Sequence, residues 1–263
     1  MKKLICMMLV LTLIAGMTAV ACAENNKLSD FANRLKKAAQ QQTAQETEAE
    51  PAQEQADVSY GPALRTNDPF YQKVRSSAYL QEDKYSKEAN VMIELKNVSG
   101  RTLYPNKATV TAYNADGAVI KEQNYSSYGP DMVGNGESLF IWEWFYGFDV
   151  PIADIAYFDV VIESETSSYT EYAKIDGQAF VSDGIAYALV ENTTDADIYG
   201  IQSVIVVENA DGVLLDVRDI SGLTSNGIFP GSTLVQRQTV KDYANDKSLM
   251  EGNATAYVLY ELD

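Results

Sequence analysis

The sequence contains no histidine, and its two cysteines, Cys6 and Cys22, both fall within the first 23 residues. Without histidine the chain lacks the usual general base near neutral pH and the commonest transition-metal ligand. Without a later cysteine, everything after Cys22 is denied a thiol nucleophile, a disulfide and a zinc–thiolate site. Positive charge is scarce as well, with 20 Lys and Arg against 37 Asp and Glu for a net charge of −17. Neutralising phosphates takes clusters of cations, so nucleic acid is an unsuitable partner. Electrostatic docking on anionic lipid is disfavoured for the same reason. No phosphate-binding glycine loop, nucleophile-elbow serine or zinc motif occurs. Ser–Lys and paired-carboxylate chemistry remain formally open. Asp154, Asp159, Glu163, Glu165 and Glu171 could supply carboxylates, but glycoside hydrolysis needs two at a set separation in a cleft. Their spacing reads instead as a solvated strand face. Neither a cofactor nor a metal is expected.

What the chain does have begins with an address. Lys2 and Lys3, the apolar run Leu4 to Ala15, and Ala21-Cys22-Ala23 follow the order of a secretory signal over residues 1–23. Cleavage after Ala23 fits the small-residue rule. Ala19-Val20-Ala21-Cys22 offers an alternative, lipidation at Cys22, which would tie the mature chain to the outer face of a membrane. Residues 24–57 then read as a spacer. Ser29 can cap a short helix carrying Leu28, Phe31 and Leu35 on one side. From about Gln40 to Asp57 the Gln, Glu, Ala, Thr and Pro content cannot offset the entropy of ordering.

The rest is rich in apolar residues, and it repeats. Asn114-Ala115-Asp116-Gly117 returns as Asn209-Ala210-Asp211-Gly212, an offset of 95 residues. The same offset aligns Asn97 with Asn192, Tyr104 with Tyr199, Ser126 with Ser221, Gly136 with Gly231 and Leu139 with Leu234, giving nine identities between positions 97 and 139. Such a spacing is too long for a solenoid, so each copy should carry its own core. Beyond about residue 150 the register slips, and Ala156 aligns with Ala254 at an offset of 98. Each copy reads as short strands between turn residues. Val91, Ile93 and Leu95 alternate with Met92, Glu94 and Lys96, the period of a half-buried strand. VRSSAYL, KATVTAY, GAVIKEQ, SLFIWEWFYGF and IAYFDVVIE surround that strand. The second copy offers EYAKIDGQAFV, IAYALVEN, QSVIVVE, GVLLDVRD, STLVQRQTV and NATAYVLYEL. The fold class expected is all-β: two tandem antiparallel β-sandwich domains, 68–165 and 166–263. QSVIVVE is apolar on both faces, so its outer face should be covered, with the other domain as a candidate cover.

The order of features in each copy is a strand ending in Asn (LKN at 95–97, VEN at 190–192), an apolar strand, a tight D-G hairpin, another strand and a Gly before the next. That order resembles the FxLYD-type and related small Ig-like domains of secreted or surface-anchored Firmicutes proteins, over nearly all of 68–263. The resemblance implies an Ig-like fold and a non-catalytic role, and it transfers no active site.

Two features compete as sites. The NADG blocks, with Asn114, Asp116, Gly117, Asn209, Asp211 and Gly212, are poor calcium loops, since each supplies one Asp and one Asn where calcium wants six to eight oxygens. As turns they use every residue: Asn first and Gly fourth suit a type I turn closed by a left-handed glycine. The other feature is LFIWEWFYGFDV at 139–150, which holds both tryptophans. On a strand, Phe140, Trp142, Trp144 and Tyr146 share one face. They form either an exposed platform for sugar rings or a protein partner, or packing within the core or between domains. The second copy has Arg237 and Thr239 where the first has Trp142 and Trp144. The function expected is therefore a non-catalytic extracytoplasmic binding or structural module, at the bacterial cell envelope or secreted. An accessory carbohydrate-binding protein using strand 140–146 is the alternative, and a hydrolase of unrecognised type comes third. Partners expected are a protein or a cell-wall glycan, with a membrane reached only through a lipid at Cys22.

Overall fold

The computed structural model describes residues 58–220, 227–243, 247–249 and 252–262. The signal sequence, Cys22, the spacer with its helix, and Ser221 lie outside the described residues. All the described residues belong to one compact unit.

The fold is all-β. Strands β1 (Val58–Tyr60), β2 (Ala63–Arg65), β3 (Tyr71–Glu82), β4 (Lys87–Asn97), β5 (Tyr104–Tyr113), β6 (Val119–Gln123), β7 (Ser127–Gly129), β8 (Ser138–Tyr146) and β9 (Tyr157–Glu165) make up an N-terminal half. Its two sheets run β1-β3-β4-β8-β7 and β2-β9-β5-β6. The C-terminal half holds β10 (Tyr172–Ile175), β11 (Gly177–Ser182), β12 (Ile185–Glu191), β13 (Tyr199–Glu208), β14 (Leu214–Asp219), β15 (Thr233–Thr239), the short pair β16 (Lys241–Asp242) and β17 (Lys247–Ser248), and β18 (Asn253–Glu261). Its main sheets run β10-β18-β13-β14 and β11-β12-β15. Pairing is antiparallel except where β1 joins β3 and β2 joins β9. Residues 58–65 thus pair with both sheets of the first half. The turn between β1 and β2 needs Gly61, which has φ +76° and no room for a Cβ, since one would lie 2.0 Å from the Ala78 carbonyl oxygen.

Alternation explains the cores. Val91, Ile93 and Leu95 point inward from β4 and meet Leu139, Ile141 and Phe145 of β8 and Ala108, Val110, Phe158 and Val160 of the facing sheet, all buried. In the second half Ala186 and Ala188 of β12 meet Ile205 and Val207 of β13, with Val190, Ile201 and Val258 in an adjoining cluster. A further cluster joins the two halves: Tyr79, Met92 and Phe140 pack on Val204, Val206, Leu214 and Val217. The outer face of QSVIVVE is therefore covered by the first half. Phe140 and Tyr257 meet across this seam with ring centroids 4.8 Å apart. Full burial of each such side chain contributes about 1.5–3 kcal/mol.

The 95-residue offset has a structural counterpart. Asn97 and Asn192 are both fully buried. The Asn97 side-chain amide donates to the carbonyls of Arg101 (2.8 Å) and Val133 (2.9 Å), and its oxygen accepts from the amide and hydroxyl of Ser99. Asn192 donates to Ala196 and Ile228, both at 2.7 Å, and accepts from the amide and hydroxyl of Thr194. Every partner is displaced by 95. The isolated bridges Leu103–Val133 and Ile198–Ile228 keep the same offset. Farther on, the register differs from the expected 98. Ala112 pairs with Phe158, and its counterpart Val207 pairs with Ala254, so the offset from β9 to β18 is 96. Strand pairing places the inward residues of β9 and β18, whereas the identity of two alanines does not.

Asp216 of β14 is a buried acid, 2% exposed, that accepts from the Lys241 amide at 2.9 Å and pairs with Arg218 at 3.0 Å. Burial outweighs the Arg218 charge and these hydrogen bonds, and lifts its pKa from 3.8 to about 6. The folded form then binds this proton more tightly than the unfolded chain does. Stability from this group is full below pH 3.8 and is lost as pH rises through about 6. Across that window it falls by about 3 kcal/mol. Burial raises the Asp131 and Glu143 carboxyls in the same direction. Denaturant midpoints should therefore rise as pH falls from 7 to 5, and Asp216→Asn should flatten that rise. An unchanged slope in the variant would remove Asp216 as its source.

Candidate functional site

The two NADG blocks form the same turn. In the first, the Gly117 amide donates to the Asn114 carbonyl at 3.1 Å. The Asn114 side-chain oxygen accepts from the amides of Asp116 (3.1 Å) and Ala118 (2.8 Å). In the second, Gly212 donates to Asn209 at 3.1 Å, and the Asn209 side chain accepts from Asp211 (2.9 Å) and Val213 (3.0 Å). Gly117 and Gly212 both have φ +79°. Each Asn oxygen is committed to holding the turn. Among the described residues no group of three His, Cys, Asp or Glu could hold a metal ion. The carboxylates at 154–171 are exposed or half-buried on the outside of the fold, with Glu163 paired to Lys107 at 2.9 Å and Glu165 accepting from Asn106 at 3.1 Å.

Strand β8 separates its aromatic residues. Phe140 is fully buried in the seam. It is not available to an external ligand, because Val204, Val206 and Tyr257 of the second half take up that end of the face. Trp142 is half-buried at the edge of the seam cluster. Beyond it the second half no longer covers the sheet, and Trp144 and Tyr146 are 54% and 61% exposed. Their rings lie 5.7 Å apart, inclined at 50°. The Trp144 indole N–H donates to Glu88 Oε2 at 3.0 Å. Lys121 Nζ lies 5.4 Å from the Tyr146 ring centre and donates to the Gly147 carbonyl at 3.1 Å. Both exposed rings are therefore held at a defined orientation instead of swinging freely, which reduces the entropy a ligand must overcome.

A cleft of about 420 Å³ opens beside Trp142, along the seam. The first half lines it with Ser127, Tyr128 and Trp142, and the second half with Arg218, Asp219 and Gln238. Only Trp142 of these was singled out by sequence. The others stand out by no motif, and come together only because the two halves pack at this angle.

No family model matches the chain, and no curated protein matches it. Among solved structures, the chain is similar to red sea bream transglutaminase at 13% identity and a TM-score of 0.19, covering 74% of this chain and 29% of that one. It is similar to a structure of infectious bursal disease virus Gx strain at 10% identity and a TM-score of 0.17, covering 70% of this chain and 58% of that one. The chain thus spans less than two thirds of either neighbour, and likeness this slight carries no argument about function.

Proposed function

We propose that the protein is a non-catalytic binding module, exported and working outside the cytoplasm at a bacterial cell envelope or free of it. The observation that carries this is the pair Trp144 and Tyr146. Two large aromatic rings stand in solvent, side by side and anchored by Glu88 and Lys121, at the open end of a strand that is otherwise buried or half-buried. Exposed aromatic area of this kind is costly to solubility and marks interaction sites. Export is supported by the signal-like pattern of residues 1–23, and a non-catalytic role by the residue chemistry and the Ig-like resemblance of the sequence.

The test is binding of the purified protein to a printed glycan array and to isolated cell-wall sacculi. The double variant Trp144→Ala/Tyr146→Ala should lose at least tenfold in affinity while keeping its melting temperature. Undiminished binding by the variant, or no binding by the parent, would refute this surface.

A further inference from the structure

We infer that the seam cleft is a subsite for one ring of a neutral, linear oligosaccharide whose next rings lie on Trp144 and Tyr146. This deepens the binding reading above and rests on it. A pyranose ring has an apolar C–H face and a rim of hydroxyls. It therefore needs an aromatic face beside clustered donors and acceptors, which is the usual composition of a small-ligand site. The cleft supplies both. Trp142 forms an aromatic wall that is only half-buried, while Ser127, Arg218, Asp219 and Gln238 bring hydroxyl, guanidinium, carboxylate and amide groups to its rim.

Continuity with the exposed pair follows from strand geometry. Trp142, Trp144 and Tyr146 occupy alternate positions of β8, so they share one face. From Trp142 to Tyr146 the strand advances about 13 Å. That sets three aromatic side chains in series along one strand face, leading out of a cleft, suited to a chain of rings and not to a single one. Preorganisation is built in: Phe140, two residues before Trp142, is locked against Tyr257 at 4.8 Å, and Glu88 fixes the indole of Trp144 at 3.0 Å.

Charge selects the class of glycan. The chain carries −17 overall, and carboxylates of Asp219 and Glu88 stand at the cleft and at the indole edge of Trp144. Uronic or sulfated chains would be repelled at the cleft and at Trp144, and the Lys121 cation beside Tyr146 offsets this only at the outer end of the row. Arg218 does not reverse this, since it is paired to Asp216 at 3.0 Å. A peptide could also stack its aromatic or proline rings here, but those rings lack the circle of hydroxyls that the polar side chains around Trp142 would meet.

The probes are tetrasaccharides of β-1,4-linked glucose, mannose and N-acetylglucosamine, with a tetra-uronide as the charged control. They are titrated into the full chain by calorimetry and tryptophan fluorescence. At least one neutral probe should bind, with a blue shift in emission, and the tetra-uronide should not. Gln238→Trp fills the cleft from the exposed strand β15 and should weaken binding at least tenfold. Ser127→Phe fills it from the opposite wall and serves if the first variant does not fold. Failure of all three neutral probes overturns the inference. Binding lost in Trp144→Ala but intact in both filled variants overturns the cleft subsite and leaves the exposed-pair reading standing. Binding lost in the filled variants but intact in Trp144→Ala/Tyr146→Ala overturns the inferred row and, with it, the exposed-pair reading.

Discussion

Asn97→Ala is expected to destabilise the fold by about 3 kcal/mol, because it strips partners from several buried groups at once. The Asn97 side chain is fully buried and makes four hydrogen bonds: two donated to the carbonyls of Arg101 and Val133, two accepted from Ser99. These tie the end of β4 to the loop leading into β5 and to the Leu103–Val133 bridge, where the two sheets of the first half come together. Alanine fills none of these roles and leaves a polar void. For a unit of about 200 residues, a loss of that size lowers the melting temperature by about 10 °C. Asn192→Ala should cost a similar amount, since its network is the same one displaced by 95 residues. Asn97→Asp separates hydrogen-bond loss from simple cavity formation. It has the same size, yet at pH 7 it turns a carboxylate toward two carbonyl oxygens. Its deficit should exceed that of alanine at pH 7 and narrow on acidification, as the protonated acid regains a donor. A loss below 1 kcal/mol for Asn97→Ala in denaturant titration would show that water or relaxation replaces these bonds.

The paired asparagines also show what was legible in the chain. Sequence located them by their common offset, and marked them as strand ends. It could not show that both are buried hubs, because an Asn after an apolar run looks the same whether it caps a turn in solvent or bridges two sheets. The strands themselves were readable where alternation ran for five residues or more, as in β4, β5 and β9, or where an apolar or aromatic run lay between turn residues, as in β8, β13 and β18. Residues 58–67 lay outside the first sandwich as read, which began at 68. There β1 and β2 are three residues each, too short to show a period, and they hold through pairing with β3 and β9. EYAKIDGQAFV read as one segment but divides at Asp176 into β10 and β11, which join different sheets. Composition does not record which sheet a strand joins.

The candidate site was legible in the same partial way. Two tryptophans on one strand face pointed to β8, and divergence between the copies singled it out. Burial along that face depends on where the second half ends, which is a property of the seam. The apolar β13–β14 face that makes one side of the seam occurs in the second copy only, and for a readable reason. Val204, Val206 and Val217 of the second half correspond to Thr109, Thr111 and Glu122 of the first. The face that docks in one half is polar in the other. A chain with both faces apolar could dock head to tail onto further copies without closing.

Arg75 should carry the largest single electrostatic contribution to that seam. Its guanidinium, 14% exposed, bonds Glu94 Oε2 of its own sheet at 2.5 Å, reaches Glu208 of the second half, and donates to the Gly212 carbonyl at 2.9 Å. Burial pulls the Arg75 pKa down, but the two carboxylates outweigh it and hold the group above its ordinary value. The second NADG turn is thus a docking point as well as a turn. Removing the cation leaves Glu94, 7% exposed, and the part-buried Glu208 without the guanidinium that bridges them. Arg75→Met keeps the apolar stem and should still cost about 3–5 kcal/mol at pH 7, the range for breaking a buried pair by one partner. The loss should fall on the seam first. Unfolding that is a single transition in the parent should split into two, as each half keeps its own core while the shared cluster opens. Adding Glu94→Gln and Glu208→Gln should recover most of the loss, since the penalty arises from orphaned charge and not from the missing bonds. Calorimetry of the three proteins decides the matter. One transition shifted by less than 2 °C in Arg75→Met, or no recovery in the triple variant, would show that apolar contact among Phe140, Val204 and Tyr257 holds the halves together without this node.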